Sequence, residues 1–149
     1  MEIHGDHRFA SPRSLVWQLL LDPGVLRQAI PGCERFEVIA PGWYKVAARI
    51  GVAAIKGQYA GTVRVIDEEP ERAYGLVFEG AGTPGTARAT ATVTLEDDAT
   101  GGTIVRYRGD IVAGGGIARL GGRVLASAAR LLIGQFFRAM DEQARQRTA

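Results

Sequence analysis

The stretch Gly116-Ile117-Ala118-Arg119-Leu120-Gly121-Gly122-Arg123 has the glycine spacing of a loop that cradles phosphate after a strand. It lacks the Lys and the Ser or Thr that would hold the phosphates and Mg²⁺, so nucleotide binding is not expected. Glycines 114 to 116 read instead as the release of a last strand into a helix. Gly121-Gly122 reads as one thinned helical turn that either admits a ligand or packs against a neighbouring loop. His4 and His7 stand three apart on an alternating segment, so they point to opposite faces and cannot share a metal from that strand. His7 is the inward one, expected to be partly buried and bonded to backbone, with contact to a ligand as the alternative. Cys33 is the only cysteine, which excludes an internal disulfide, leaves no thiolate partner for a metal, and offers no neighbouring histidine for nucleophilic chemistry. Asp67, Glu68, Glu69 and Glu71 flank Pro70 and read as a solvated turn. No nucleophile, base and orienter assemble from these residues, and no cofactor is expected.

What remains informative is an emptiness. In Gly85-Thr-Ala-Arg-Ala-Thr-Ala91 and on to Leu95, polarity alternates strictly, the mark of a strand with one buried face, yet that face is Gly85, Ala87, Ala89 and Ala91. Interiors pack to crystal-like density, so a core strand without larger side chains leaves room. An earlier segment does the same with Gly57, Tyr59, Gly61, Val63 and Val65. Either the sheet curves around a cavity, or a helix lies directly on small residues that admit close approach.

The elements that would frame such a cavity follow from periodicity. Residues 2 to 9 alternate as a strand. Ser11-Pro12 and Asp22-Pro23 are cap-and-proline pairs that open two short helices, the second ending at Pro31-Gly32. Strands are expected at 33–39, 43–50, 53–66, 72–80, 85–96 and 102–113, seven with the first, parted by turn dipeptides such as Pro41-Gly42. From Ile117 the period becomes helical for about 30 residues, with Ile117, Leu120, Val124, Ala128, Leu131 and Ala139 on one face, broadened by Leu125, Leu132 and Phe136. The fold class expected is α+β: an antiparallel sheet wrapped around a long C-terminal helix, in one domain over residues 1–149.

Composition bounds the partners. The start of the chain has no signal-peptide layout, and no run approaches the roughly 18 apolar residues of a spanning helix, so the cytoplasm is the economical compartment. Two lysines and no basic-aromatic clusters argue against nucleic acid. From Ile117 onward six arginines face Asp141 and Glu142, a local balance of +4 in a chain of net charge +2. Arg119, Arg123 and Arg130 share the outer side of the helix. They form either a solvated face or a dock for an acidic protein or an anionic membrane surface.

Several motifs then resemble one family. Val16-Trp17 with Asp22-Pro23, Ile30-Pro31-Gly32-Cys33-Glu34, Lys45-Val46 with Ile50-Gly51, Lys56-Gly57-Gln58-Tyr59-Ala60-Gly61, residues 114–123 and Gln135-Phe136-Phe137 are similar to the CoxG-like group, the G subunit of carbon monoxide dehydrogenase, in the START/Bet v 1-like (SRPBCC) superfamily. The resemblance implies a helix-grip fold with a lipophilic pocket between sheet and helix and brings no catalytic motif. It further implies association with molybdenum-containing carbon monoxide dehydrogenases or related hydroxylases, through membrane recruitment or a quinone-like electron acceptor. Members often carry an apolar C-terminal segment. This sequence ends at Ala149 after Arg145-Gln146-Arg147-Thr148, so direct anchoring is not expected while pocket binding is unaffected.

The expected activity is non-enzymatic binding of a lipophilic small molecule. Tyr59, Leu76, Phe78, Ala87, Ala89, Ala91, Tyr107, Leu120, Val124 and Leu131 are the expected wall, with the tyrosine hydroxyls as polar anchors. The alternatives are a docking protein that works through Arg119, Arg123 and Arg130, and an enzyme of the polyketide cyclase kind, which shares this fold.

Overall fold

In the computed structural model, which describes residues 1–148, the alternating segments become one antiparallel sheet and the periodic ones pack on a single face of it. The order is β1 (Glu2–Phe9), α1 (Arg13–Leu20), α2 (Pro23–Ala29), β2 (Cys33–Ala40), β3 (Trp43–Ile50), β4 (Gly57–Glu69), β5 (Ala73–Gly82), β6 (Gly85–Asp97), β7 (Thr103–Gly114) and α3 (Gly122–Thr148). Short 3-10 turns occupy Ala53–Ile55 and Gly115–Leu120. The seven strands lie in the order β1-β7-β6-β5-β4-β3-β2, so every neighbouring pair except β1 and β7 is consecutive in the chain. This is the helix-grip arrangement, with α3 held in the concave face.

Local chemistry explains most boundaries. Asp22 caps α2 by accepting from the amides of Gly24 and Val25, with Pro23 pre-set in the first turn. Ser11 does not cap α1. Pro12 occupies the cap position without a side-chain bond, and the Ser11 carbonyl instead accepts from the buried Thr103 hydroxyl at 2.8 Å, fixing the helix start to β7. The first residues of the expected fourth strand turn away as the 3-10 segment at Ala53–Ile55.

The larger correction concerns the long helix. It begins at Gly122, because residues 115–120 wind as a 3-10 turn and Gly121 adopts φ +85°, a conformation glycine supplies without steric cost. Gly121 therefore ends a turn and lies outside the helix. A 3.6-residue period carried on from Ile117 loses its phase across this break. Of the expected face, Ala128 is buried, Ala139 packs on the core, and Leu125, Leu132 and Phe136 point inward with Ala129, Phe137, Met140 and Ala144, while Val124 and Leu131 are 40% and 47% exposed.

The core sits at the end of the sheet covered by α1, α2 and the second half of α3. Phe9, Leu19, Val105 and Met140 are almost wholly removed from water there, each contributing about 1.5–3 kcal/mol through burial. Aromatic rings complete the seam: Phe137 of α3 meets Phe9 edge-on at 6.2 Å and stacks on His7 at 5.6 Å and Tyr107 at 5.8 Å.

The helix phase is testable by paired truncations. Met140→Ala, at a site 1% exposed, is expected to cost about 2–5 kcal/mol in denaturant unfolding, whereas Val124→Ala stays within about 0.5 kcal/mol. Equal losses at the two positions would contradict this inward face.

Candidate functional site

On the concave face the strands are aligned in transverse rows, and one row is made of small residues. Register places Val46, Gly61, Gly80, Ala87 and Ala113 side by side across β3, β4, β5, β6 and β7. Neighbouring rows are larger. Tyr44, Val63, Phe78, Ala89 and Ile111 form one, and Val65, Leu76, Ala91 and Gly109 form the next, closed by Ile3 of β1. Phe78 lies across the depleted row: a Cβ on Gly80 would stand 2.7 Å from its Cζ, so the glycine makes the berth for the ring. Tyr107 is seated the same way, with its Cζ 2.8 Å from where a Cβ on Gly5 would be.

A cavity of about 250 Å³ lies above the small row. Ala48, Ile50 and Tyr59 close one side, Ile111 another, and Leu125, Ala129 and Leu132, spaced by four and three on α3, form the roof. Ile55 and Ile117, one from each 3-10 turn, stand at the same end. Two contacts hold these turns. The Tyr59 hydroxyl donates to the Ile55 carbonyl at 2.6 Å, and the Ile117 amide donates to the Pro84 carbonyl in the β5–β6 turn at 3.0 Å. Tyr59 carries the one polar side-chain group among the described residues of the lining, burial pushes its phenol up, and its hydrogen is already used. A half-open space with this lining attracts apolar ligands.

The structure disperses the residues of the expected wall. Tyr59, Phe78 and Ala87 line the cavity. Ala89 and Ala91 face the same way but stand in rows filled by Phe78 and Ile111, and by Leu76 and Ile3, so the void does not reach them. Leu76 and Tyr107 pack against the main core, where desolvation raises the Tyr107 phenol against the opposing pull of Arg130. Leu120 lies in the 3-10 turn outside the lining, Val124 faces outward, and Leu131 borders an adjoining depression. The tyrosine hydroxyls do not project into the cavity as free anchors, since Tyr59 is bonded and Tyr107 is elsewhere. Sequence reading placed Leu125 and Leu132 on the helix face without naming them as lining, and missed Ala129 and the Ala48, Ile50 and Ile111 walls.

Other candidates resolve as follows. His7 bonds no backbone group among the described residues; its Nε2 lies 3.5 Å from Asp141 Oδ2 on α3, and Arg145 Nη2 reaches the same oxygen at 3.3 Å. The Cys33 thiol, pushed up by burial, donates to the Arg35 carbonyl at 3.4 Å. Arg119, Arg123 and Arg130 are exposed, Arg119 on the 3-10 turn and the others on α3, and none forms an ion pair among the described residues. No group of three or more His, Cys, Asp or Glu among the described residues could hold a metal. A wider depression of about 600 Å³ on the convex face, between Thr62, Glu79, Arg88 and Val112, lies behind the same small row and is open and charged.

The model of the CoxG family, the G subunit of carbon monoxide dehydrogenase, matches residues 5–145. The chain belongs to the CoxG family. A conserved protein from Geobacillus kaustophilus is 32% identical over 98% of this chain and 96% of its own, with a TM-score of 0.95. Two more distant structures share the CoxG chain's fold. A START superfamily protein from Mycobacterium smegmatis is 10% identical, with 97% of each chain covered and TM-score 0.76. The Zhui aromatase/cyclase from Streptomyces sp. R1128 is 15% identical, covering 100% of this chain and 96% of its own at 0.70. No curated protein matches. No helix among the described residues is long and apolar enough to cross a membrane.

Filling the cavity separates the rows. Ala87→Phe is expected to cost under about 1 kcal/mol, since the ring enters existing space, and to abolish binding of an apolar fluorescent probe. Ala91→Phe, in a filled row, should cost about 1–3 kcal/mol or more and leave the cavity intact. Chemical unfolding and probe titration read both; the reverse order would mean the void lies over Ala91.

Proposed function

We propose that this CoxG-family chain is a non-enzymatic accessory protein that holds a lipophilic, quinone-like small molecule in the sheet–helix cavity, in the service of a molybdenum-containing carbon monoxide dehydrogenase or related hydroxylase. The observation that carries the reading is the lining: apolar from sheet floor to helix roof, with its single hydroxyl engaged. Such a site selects by shape and hydrophobicity and has no acid, base or nucleophile to act on what it holds. That distinction counts against the cyclase alternative, which shares the fold at low identity. His7, a group such an enzyme would draw on, is committed to Asp141 in the aromatic seam, away from the cavity.

The exposed arginines favour a second, compatible role. Arg119 stands on the 3-10 turn that contributes Ile117 to the cavity, and Arg123 opens α3 one turn later. Cations grouped beside a ligand site suit docking to an acidic enzyme surface or to anionic lipid headgroups, by steering that salt weakens.

Organic extraction of the purified protein, followed by mass spectrometry, is expected to yield a hydrophobic compound that is absent from extracts of Ala87→Phe. The same unspecific mixture of lipids from both proteins would overturn the ligand reading. The triple Arg→Glu variant at 119, 123 and 130 should keep probe binding while losing salt-sensitive association with an acidic partner. Loss of probe binding with the fold preserved would place these arginines at the cavity mouth and end the docking role.

A further inference from the structure

Three stretches distant in sequence, Pro31-Gly32, residues 49–52 and the α3 residues Leu131, Leu132 and Gln135, converge on a depression of about 290 Å³ beside the cavity. Pro31 and Gly32 supply one rim, Gly51 and Val52 another, and Leu131 and Gln135 of α3 the third. The Arg49 amide donates to the Gly32 carbonyl at 2.9 Å and fastens the first two rims together. Ile50 and Leu132 line both spaces, so two apolar side chains stand between depression and cavity.

The two spaces differ in chemistry. Gln135 is half-buried in the depression, and its amide has no hydrogen-bond partner among the described residues. Arg49 borders the depression and is paired in register with Gln58. Its guanidinium, on a side chain 71% exposed, turns to Glu34 with Nε 4.0 Å from Oε2. The depression thus presents a neutral donor and no inward cation.

Size supplies the second argument. A cavity of about 250 Å³ falls below the roughly 300–1,000 Å³ of ordinary ligand sites, so an occupant of usual size extends beyond it. The depression lies on the far side of Ile50 and Leu132, so a longer occupant would reach it by displacing these two side chains.

We propose that the depression is the head-group subsite of the cavity and that its occupant is a neutral amphiphile, with the apolar body over Ala87 and a carbonyl oxygen accepting an N–H from Gln135. This rests on the ligand reading above and deepens it. An occupant lacking the acceptor would cover the Gln135 amide without replacing its water, which penalises purely apolar molecules. A carboxylate would lose hydration without gaining a counter-charge, which penalises anions. Gln135 is thereby a specificity-determining residue.

Three probes of matched length decide it: decane, methyl octyl ketone and decanoate, each titrated in competition with a bound fluorescent apolar dye. In the parent protein the ketone is expected to bind more tightly than decanoate. In Gln135→Leu the ratio of ketone to decane affinity should fall by about 3- to 10-fold, the value of one neutral hydrogen bond, with the ketone bound more weakly and decane no more weakly than in the parent. Gln135→Asn, which keeps an amide at the same place, should recover part of the ratio. Circular dichroism and thermal unfolding report whether the variants fold. An unchanged ratio in folded Gln135→Leu, or decanoate binding most tightly, overturns the head-group subsite while leaving the cavity reading standing. Failure of all three probes to compete with the dye overturns both.

Discussion

The packing of α3 against the concave sheet is the constraint on which everything else depends, and it is uneven along its length. At one end Phe137, Met140 and Ala144 meet Phe9, Val93, Leu95 and Val105 in a dense seam. At the other, Leu125, Ala129 and Leu132 span a gap over Gly61, Gly80 and Ala87. A straight helix clamped by large residues at one end cannot settle onto small ones at the other, because close-packed interiors resist bending an element to close a void. The void is the geometric remainder of a well-packed core.

That relation assigns different work to the two halves of one helix. The second half carries the stability that lets the first half leave apolar surface unpartnered. The His7–Asp141–Arg145 contact belongs to the stabilising half, where a carboxylate next to aromatic rings needs the partners it has. The 3-10 turns, bonded to Tyr59 and Pro84 and anchored by the buried Ile117, belong to the permissive half.

Legibility in the sequence depends on direction. Along the strands other than β4, alternation in segments such as Trp43–Ile50 sets boundaries within a residue or two, and Asp22-Pro23 places α2. Across strands, nothing in the sequence fixes register. Ala87, Ala89 and Ala91 look equivalent in the chain, yet only Ala87 falls in the row with Gly61 and Gly80. The helix face misleads for a related reason: the glycines at 115, 116, 121 and 122 signal a break, but its angular size is set by a 3-10 turn and a positive φ at Gly121. The family resemblance locates a pocket between sheet and helix without saying which rows bound it.

The cavity also fixes how this molecule responds to mechanical compression. A dry void adds to the volume of the folded chain and disappears when the chain unfolds, so hydrostatic pressure favours unfolding in proportion to such empty space. Here the empty space is concentrated at one end of a sheet whose other end is dense. Pressure is therefore expected to act first at the end bounded by the 3-10 turns and last at the aromatic seam. An occupant that fills the void would make the two ends mechanically alike.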